Sequence, residues 1–389
     1  MLLNLRSLEA LRGFLALYVL LGHARWLLWC GFSRWNTEPH SLLAKAFCYP
    51  CGLLRYGHEA VLVFFVLSGF FIHLRMSRKS ACGEGISLDV ATYGKRRVHR
   101  LLAPYVLALG ITVLCDFAGL SFFPELYAAR TGDELLDSNF SKSGYGWAAT
   151  VPTGIMLPGA FGKHFGSNGP LWSLAFEVVY YALYPLWLLT RKRSTWLAFA
   201  VVPAVFIASR ALPFSWLTGV ASHYPLWLAG AGLAEIMARG WVKTGYRFVV
   251  PVAAGAGFAL YQWAESPLPK FLGATVFGCG IVLWSATLPA SLTRHRWHRI
   301  CEFLGVRGYT IYICHFPILV LISAATIHYS GVRPLDGFLA VVGSLTTLGI
   351  CCLLFELCEK HFLHARIQLR DHQPHGFDAT VSQPVEKAA

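Results

Sequence analysis

The sequence predicts an all-α, polytopic integral membrane protein with about ten transmembrane helices in one bundle. Of its 389 residues, 56% are hydrophobic and only 14% are charged, whereas soluble globular domains carry roughly 25% charged residues. The apolar residues also fall in blocks of about 20, the length that a helix needs to cross a hydrocarbon core of about 30 Å. Too few charges remain to coat a water-soluble surface, so the composition favours a membrane protein.

Ten apolar segments give the predicted spans. A weaker candidate at 147–161 contains Pro152, Pro158 and several glycines, and it is more typical of a short re-entrant or surface element than of a full span. An eleventh full span there would also place the later basic loops on the outer side. The ten predicted spans are 9–29, 58–76, 98–118, 170–189, 196–212, 216–238, 247–264, 271–289, 308–328 and 337–357.

The basic residues predict the orientation. A net charge of +13 is compatible with nucleic-acid binding, but here Lys and Arg cluster in loops that ten spans place on one side, which is the cytoplasmic side by the positive-inside rule. Both termini are then expected to be cytoplasmic. We expect the membrane itself to be a bacterial inner membrane. We expect residues 1–360 to form the transmembrane domain and the polar residues 361–389 to form a disordered tail. The basic segments are 77–97, 190–195, 239–246, 290–307 and the tail.

Two predicted outer segments, 30–57 and 119–169, are long. A loop as long as the second is typical either of a cover over an outward-facing site or of a surface loop without a role. The first contains Cys30, Cys48 and Cys51, which either form a disulfide in an oxidising compartment or remain thiols. The Cys48–Cys51 pair has no second pair to complete a zinc site, so no metal is predicted.

Charged residues inside spans are functional candidates because their insertion costs about 2.5–3.5 kcal/mol. Arg12 and His23 in the first span are eleven residues apart, so they share one helix face about 16 Å apart along the axis. Arginine presents a planar donor fork that suits phosphate or carboxylate, and histidine can take a proton from a hydroxyl near neutral pH. The alternatives are a snorkelling arginine and a histidine that only joins two helices.

The second and third spans carry two further patterns. Ser68 and Gly69 are small residues that let another helix approach, and helix packing alone would explain them. Arg97 and Arg100 share a face at the cytoplasmic entrance of the third span. They could hold the phosphates of a nucleotide-like molecule, or they could serve only as a positive-inside anchor.

The fourth span contains Glu177, about two turns below the predicted outer surface, with Tyr181 one turn later on the same face. A buried carboxylate at this depth could orient His23 or a substrate hydroxyl, or it could hold helices together. The ninth span contains His315, about two turns above the predicted cytoplasmic surface. Pro317 removes the N–H that would bond to the carbonyl of Ile313, so a kink is expected beside this histidine.

Motifs of soluble enzymes are absent from the sequence. It contains no phosphate-binding P-loop, no dinucleotide fingerprint, no zinc-protease spacing and no Gly-x-Ser-x-Gly elbow.

Taken in order, these segments resemble the acyltransferase-3 family of membrane acyltransferases. Five motifs in the family's order, with matching topology, make the resemblance specific over residues 5–360. The motifs are Leu8–Gly13 with His23, Phe64–Phe70, Arg97–Pro104, Leu171–Glu177 and Tyr309–Pro317.

The resemblance implies an acyl group, usually acetyl, that passes from acyl-CoA on the cytoplasmic side to a hydroxyl of a cell-surface or lipid-linked glycan. Acyl-CoA would be a co-substrate, with no bound cofactor. His23 would act as general base or first accept the acyl group, and Glu177 would orient His23 or the acceptor. The residues expected to bind the donor are Arg12, Arg97, Arg100 and His315, with Ser68 and Tyr181 in supporting positions.

The sequence departs from the family in two places, and two rival functions remain. Val178 follows Glu177 where many members carry a second acidic residue, and no hydrolase-like domain is expected after the last span. A transporter or flippase would also use intramembrane His, Glu and Arg, but it would favour internal repeats and broken helices, and the sequence shows no repeat. A membrane sensor or scaffold would not require aligned intramembrane charges and ranks last.

Overall fold

The computed structural model describes residues 4–35, 42–212, 215–242 and 245–362. Ten long helices form the bundle: α1 (Leu5–Leu28), α4 (Gly57–Ala81), α5 (Val90–Phe122), α9 (Trp172–Arg193), α10 (Thr195–Ser209), α11 (Ser215–Ala238), α12 (Tyr246–Trp263), α13 (Pro267–Ala286), α14 (Arg296–Ser330) and α15 (Phe338–Leu354). Five short helices lie between them: α2 (Phe32–Trp35), α3 (Leu42–Cys51), α6 (Pro124–Tyr127), α7 (Glu134–Phe140) and α8 (Trp147–Gly154).

Smaller elements complete the chain. Two-residue strands β1 (Ser143–Gly144) and β2 (His164–Phe165) pair in parallel. Single 3₁₀ turns precede α4, α9 and α14, and one π-helical turn continues α15. These four turns are Gly52–Arg55, Gly169–Leu171, Ala290–Arg294 and Phe355–Glu359.

The predicted all-α membrane class is confirmed. Each of the ten predicted apolar segments lies on one long helix, and seven helices among the described residues are long and apolar enough to cross a membrane. α10 and most of α12 form shorter apolar helices. The chain is therefore a multi-pass membrane protein, and the exact number of ten spans stays a prediction.

The predicted cytoplasmic N-terminus and the predicted cytoplasmic segment 290–307 meet at one end of the bundle. The starts of α1 and α14 are joined by Ser7 and His298, whose Oγ and Nε2 atoms are 3.1 Å apart. At the opposite end, the backbone N–H of Cys30 donates to the carbonyl of Pro334 at 2.9 Å. This arrangement agrees with the charge pattern. That the end with Ser7 and His298 faces the cytoplasm stays a prediction. Residues 363–389, most of the expected tail, lie outside the described residues.

α5 and α14 begin earlier than their apolar runs. α5 starts at Val90, where the Asp89 carboxylate accepts from the backbone N–H groups of Ala91 and Thr92, eight residues before the predicted span at 98. α14 starts at Arg296, twelve residues before the predicted span at 308. Hydropathy marks where lipid contact begins, and polar residues extend the same helices into water. His315 therefore lies 19 residues from the start of its helix, or about 28 Å.

α1 and α14 cross with almost touching backbones at two glycines. A Cβ atom at Gly13 would overlap the carbonyl oxygen of Cys301, and one at Gly305 would overlap that of Glu9. Small residues allow this approach, which brings the face of α1 that carries Arg12 and His23 against α14.

The Gly13→Ala variant is expected to destabilise the bundle by about 1–3 kcal/mol, because the new methyl group forces the two helices apart. Gly110→Ala on α5 is the matched control, since a Cβ there would meet open space. At an open helical site the same change normally stabilises by about 1 kcal/mol. Thermal unfolding of the detergent-purified variants would measure both, and an equal effect at the two positions would contradict the packing role of Gly13.

The outer segment 119–169 folds back into the bundle. It contains α6, α7, α8 and the strand pair, and the Tyr105 hydroxyl of α5 donates to the carbonyl of Thr153 at 2.8 Å. α8 has only eight residues, as expected for a short element rather than an eleventh span. In the other outer segment, Cys30 and Cys48 are buried thiols.

Candidate functional site

The α1 face that carries Arg12 and His23 borders two cavities. The inner cavity lies towards the end of the bundle where α1 and α14 start, and it has a volume of about 100 Å³. The outer cavity, of about 340 Å³, lies towards the opposite end. Because α1 is one uninterrupted helix, the predicted shared face holds, and Arg12 lines the inner cavity while His23 lines the outer one.

A carboxylate and two hydroxyls form the polar floor of the inner cavity. The Ser68 hydroxyl donates to Glu177 Oε1 at 2.5 Å, and the Tyr181 hydroxyl donates to the same oxygen. Trp227 Nε1–H donates to Ser68 Oγ at 3.2 Å. Next to Ser68, a Cβ at Gly69 would overlap the backbone carbonyl oxygen of Trp227. The Ser68–Gly69 pair therefore serves both helix packing and the polar site.

Three arginines surround this floor. Arg12 Nη1 donates to both carboxylate oxygens of Glu9, at 2.8 and 2.9 Å, and its guanidinium lies 5.1 Å from the ring centre of Phe71. Arg100 lines the cavity and lies close enough to Glu177 for a favourable Coulomb interaction. Arg97 lies 5.8 Å from the ring centre of Tyr181.

Arg97 and Arg100 differ from Arg12 in their partners. Among the residues that the structure describes, neither has a carboxylate within ion-pair distance. The Nε of Arg97 is buried and has no hydrogen-bond acceptor there. Both guanidinium groups are therefore available to a ligand that brings negative charge, and the planar donor fork suits phosphate.

His23 and His315 form a pair at the outer cavity. His23 Nδ1 and His315 Nε2 are 2.7 Å apart. The ring centroids are 5.0 Å apart and the planes differ by only 11°, so the rings meet edge to edge with one hydrogen between the two nitrogens. Phe316 packs at right angles against His23, with ring centres 4.9 Å apart.

The hydrogen bonds of the pair assign its tautomers. His315 Nδ1 lies 2.9 Å from the carbonyl oxygen of Ile311, which can only accept, so Nδ1 of His315 carries a hydrogen. Nε2 of neutral His315 then accepts from Nδ1–H of His23. Neutral His23 is left with an unprotonated Nε2, for which the described part of the chain supplies no donor, and His23 itself lines the outer cavity.

The outer cavity combines aromatic rings with neutral polar groups. Its walls contain no Asp, Glu, Lys or Arg side chain among the described residues. A cavity of this kind can hold a ligand by apolar contacts and orient it with a few hydrogen bonds. The side chains that line it together with His23 include Trp26, His58, Asn139, Phe140, Ser143, His164, Ser167, Trp172 and Phe316.

A thin wall separates the two cavities. Val61 and Tyr312 line both of them, and the Tyr312 hydroxyl lies 2.6 Å from Ser173 Oγ. A group that moved from the arginines to His23 would have to pass this wall. No set of three His, Cys, Asp or Glu side chains in the described chain is placed to hold a metal ion.

Comparison with known proteins gives the family. The sequence profile of the Acyl_transf_3 acyltransferase domain matches residues 5–356. The chain belongs to the acyltransferase-3 family. A protein of Komagataeibacter xylinus with the provisional name membrane-bound transacylase BcsY is 27% identical over 301 residues, which cover 72% of this chain and 70% of that relative. No solved structure matches the chain. The expected family is thus confirmed, and the protein is a membrane acyltransferase.

Two predicted positions in the acyltransferase are wrong. Glu177 was expected in the outer half, in reach of His23, but it lies in the inner cavity with Ser68 and Tyr181. The reason is that α9 begins inside the bundle. The side chain of Asn168, just before α9, donates to the carbonyl of Ile313. Ile313 lies about 25 Å from the outer end of α14. The expected location of His315 beside the cytoplasmic arginines is also wrong, because α14 begins earlier than its apolar run.

Sequence reasoning missed Asp116, Tyr145 and Asn168 of the acyltransferase. Asp116 is the one carboxylate in the predicted span 98–118, and the cost of burying a charge in a span could have singled it out. Tyr145 and Asn168 lie in loops, where hydropathy gives no signal. Their contribution depends on the long outer segment folding inward.

Proposed function

We propose that the protein transfers an acyl group, most simply acetyl, from acyl-CoA at the cytoplasmic end to a hydroxyl of a cell-surface or lipid-linked glycan at the outer end. The observation that carries this proposal is the His23–His315 pair, which leaves an unprotonated nitrogen of His23 at a cavity lined by aromatic and neutral polar groups. The location would be a bacterial inner membrane, with both termini cytoplasmic. Reporter fusions to each terminus would test that orientation.

The inner cavity would bind the donor. Arg97 and Arg100 lack carboxylate partners in the described chain and can hold CoA phosphates by charge-assisted hydrogen bonds, with Arg12 beside them. The pantetheine arm would then run along the α1 face past Tyr312, since Arg12 and His23 are about 16 Å apart along the helix axis. This route places the thioester at the wall between the cavities.

The transfer needs one proton acceptor. In direct transfer, Nε2 of His23 takes the proton of the acceptor hydroxyl while the oxygen of that hydroxyl attacks the thioester carbonyl. The C–S bond breaks, and Nε2–H of His23 gives the proton that it took up to the CoA thiolate, so that an ester, free CoA and neutral His23 result. The imidazolium of His23 is stabilised by Nε2 of His315, which accepts from His23 Nδ1–H. The alternative, in which Nε2 of His23 first takes the acyl group itself, uses the same nitrogen.

Glu177 has a different proposed role from the one expected. Its carboxylate accepts from Ser68 and Tyr181 and balances the charge of Arg100. We infer that it orders the arginines and the thioester rather than His23. The residue that orients His23 is His315, whose own ring is fixed by the carbonyl of Ile311.

Transport of a glycan or small metabolite is the second candidate function. The observation that favours it is the pair of neighbouring cavities, which share Val61 and Tyr312 in their linings and which an alternating-access protein would also contain. A transporter needs no CoA, so it predicts neither CoA binding nor release of CoA from acetyl-CoA.

The test is transfer of label from [¹⁴C]acetyl-CoA into the glycan fraction of membranes that contain the protein. We expect label with the wild type and none above background with membranes from empty-vector cells. Acetyl-CoA should also protect the purified protein against thermal unfolding, whereas acetyl phosphate should not. If acetyl-CoA binds but no label is transferred, the proposed donor site stands, and a glycan acceptor in those membranes is rejected. Absence of both would favour the transporter.

A further inference from the structure

Asp116 is a buried carboxylate that the proposed chemistry does not use. It lies on α5, its side chain is 1% exposed, and no basic group of the described chain pairs with it. Three neutral donors surround it instead: the Tyr145 hydroxyl at 2.8 Å, the backbone N–H of Ser167 at 2.7 Å and the Ser167 hydroxyl at 2.6 Å. Burying a carboxylate without a cation is costly, so its hydrogen bonds need an explanation beyond packing.

Asn168 ties the same segment to a second helix. Pro317 cannot donate to the carbonyl of Ile313, and the Asn168 side-chain NH₂ donates to that carbonyl at 3.0 Å. The same NH₂ group lies 3.0 Å from Thr112 Oγ1 on α5. The segment is therefore fixed to α5 by Asp116 and to α14 at a point only two residues from His315.

Gly166 completes this arrangement. Its φ of +53° lies in the left-handed region that favours glycine. A Cβ there would overlap Asp116 Oδ2 and the hydroxyl of Tyr145. A glycine is thus required for both the backbone turn and the close approach to the carboxylate.

The segment held in this way forms one wall of the outer cavity. His164, Ser167 and Gly169 line that cavity, as His23 does. Asn168 is 1% exposed, and its Oδ1 has no hydrogen-bond donor among the described residues. The contacts of Asp116 and Asn168 therefore set the distance between this wall and His23.

We propose that Asp116 is a positioning residue, and that the Asp116–Ser167–Asn168 contacts, here named the loop latch, fix the acceptor-facing wall relative to His23. The latch would determine which acceptor hydroxyl reaches His23, without any contact with the donor. This proposal rests on the proposed acyl transfer. It separates acceptor placement from donor binding, because Arg100 lines the other cavity and Arg97 contacts Tyr181 in the lining of that cavity.

The experiment compares two pairs of matched variants in the full-length protein. Asp116→Asn keeps the shape of the side chain and replaces an acceptor oxygen by a donor, and Asp89→Asn makes the same change at the exposed start of the same helix. Gly166→Ala introduces the overlap, and Gly83→Ala changes another left-handed glycine with nothing within 4 Å of its new Cβ. Each is assayed for [¹⁴C]acetyl transfer to membrane glycans, for acetyl-CoA affinity, and for hydrogen exchange of residues 143–169.

We expect Asp116→Asn and Gly166→Ala to exchange faster in residues 143–169 and to transfer label up to about 100-fold more slowly, since a displacement of about 1 Å at a reaction site can cost that much. Their affinity for acetyl-CoA should stay within about twofold of the wild type, a change of roughly 0.4 kcal/mol or less. The two control variants should match the wild type in all three measurements.

The outcomes distinguish the two proposals. Normal transfer by Asp116→Asn together with faster exchange would overturn the latch as a positioning device. A parallel loss of transfer and acetyl-CoA affinity would also overturn it, because that pattern shows general unfolding. If the wild type itself transfers no label, the proposed function fails, and the role of the latch in acceptor placement fails with it.

Discussion

Replacing His23 with alanine is expected to lower the rate of acyl transfer about 10²–10⁴-fold, the usual contribution of a positioned general base. His23 is the one member of the histidine pair that lines the outer cavity, and its Nε2 is the unprotonated nitrogen there. Acetyl-CoA affinity should not change, because Arg12 and Arg100 line the inner cavity and Arg97 contacts Tyr181, which lines it too. The measurement is initial rate of [¹⁴C]acetyl transfer at equal amounts of folded protein.

His315→Ala is the informative comparison for this prediction. It removes the partner of His23 Nδ1 but leaves the nitrogen that faces the cavity. We expect activity between that of the wild type and that of His23→Ala, because the ring would lose its fixed orientation and its fixed tautomer. Equal activity of His23→Ala and the wild type would remove His23 from the chemistry. Equal loss in both variants would show that the pair acts as one unit.

Helix positions were predictable because a membrane span leaves a strong hydropathy signal. All ten predicted segments are helices, and the shared face of Arg12 and His23 followed from helical periodicity alone. The helix starts at Val90 and Arg296 were not predictable in this way. They lie in polar sequence, where helix formation depends on the absence of helix-breaking residues such as Gly and Pro rather than on burial of apolar side chains.

The arrangement of the site was only partly predictable. Periodicity places residues on a face, but it cannot give the depth of a helix that starts inside the bundle. Glu177 was therefore expected beside His23 and lies instead beside Ser68. The sequence correctly predicts that the carbonyl of Ile313 loses its helical hydrogen-bond donor at Pro317. The donor that takes this place, the side chain of Asn168, comes from a loop 145 residues away in sequence.

The double variant Arg97→Gln, Arg100→Gln is expected to weaken acetyl-CoA binding at least about 100-fold. A hydrogen bond to a charged group contributes about 1.5–3 kcal/mol, and about 1.4 kcal/mol corresponds to a factor of ten. Glutamine keeps a long side chain with good helix propensity, so α5 should remain intact. Arg96→Gln is the control for the substitution itself, because it makes one Arg-to-Gln change at an exposed neighbour on the same helix.

Acetyl-pantetheine turns this prediction into a test of what the arginines recognise. It carries the thioester and the arm of the donor but none of the phosphates of CoA. If Arg97 and Arg100 bind those phosphates, the wild type and the double variant should use acetyl-pantetheine with equal KM, and the difference between them should appear only with acetyl-CoA. Added salt should weaken acetyl-CoA binding to the wild type more than to the variant, since charge interactions are screened. A double variant that is equally impaired with both donors would show instead that the arginines support the fold of the inner cavity, where Arg97 packs against Tyr181.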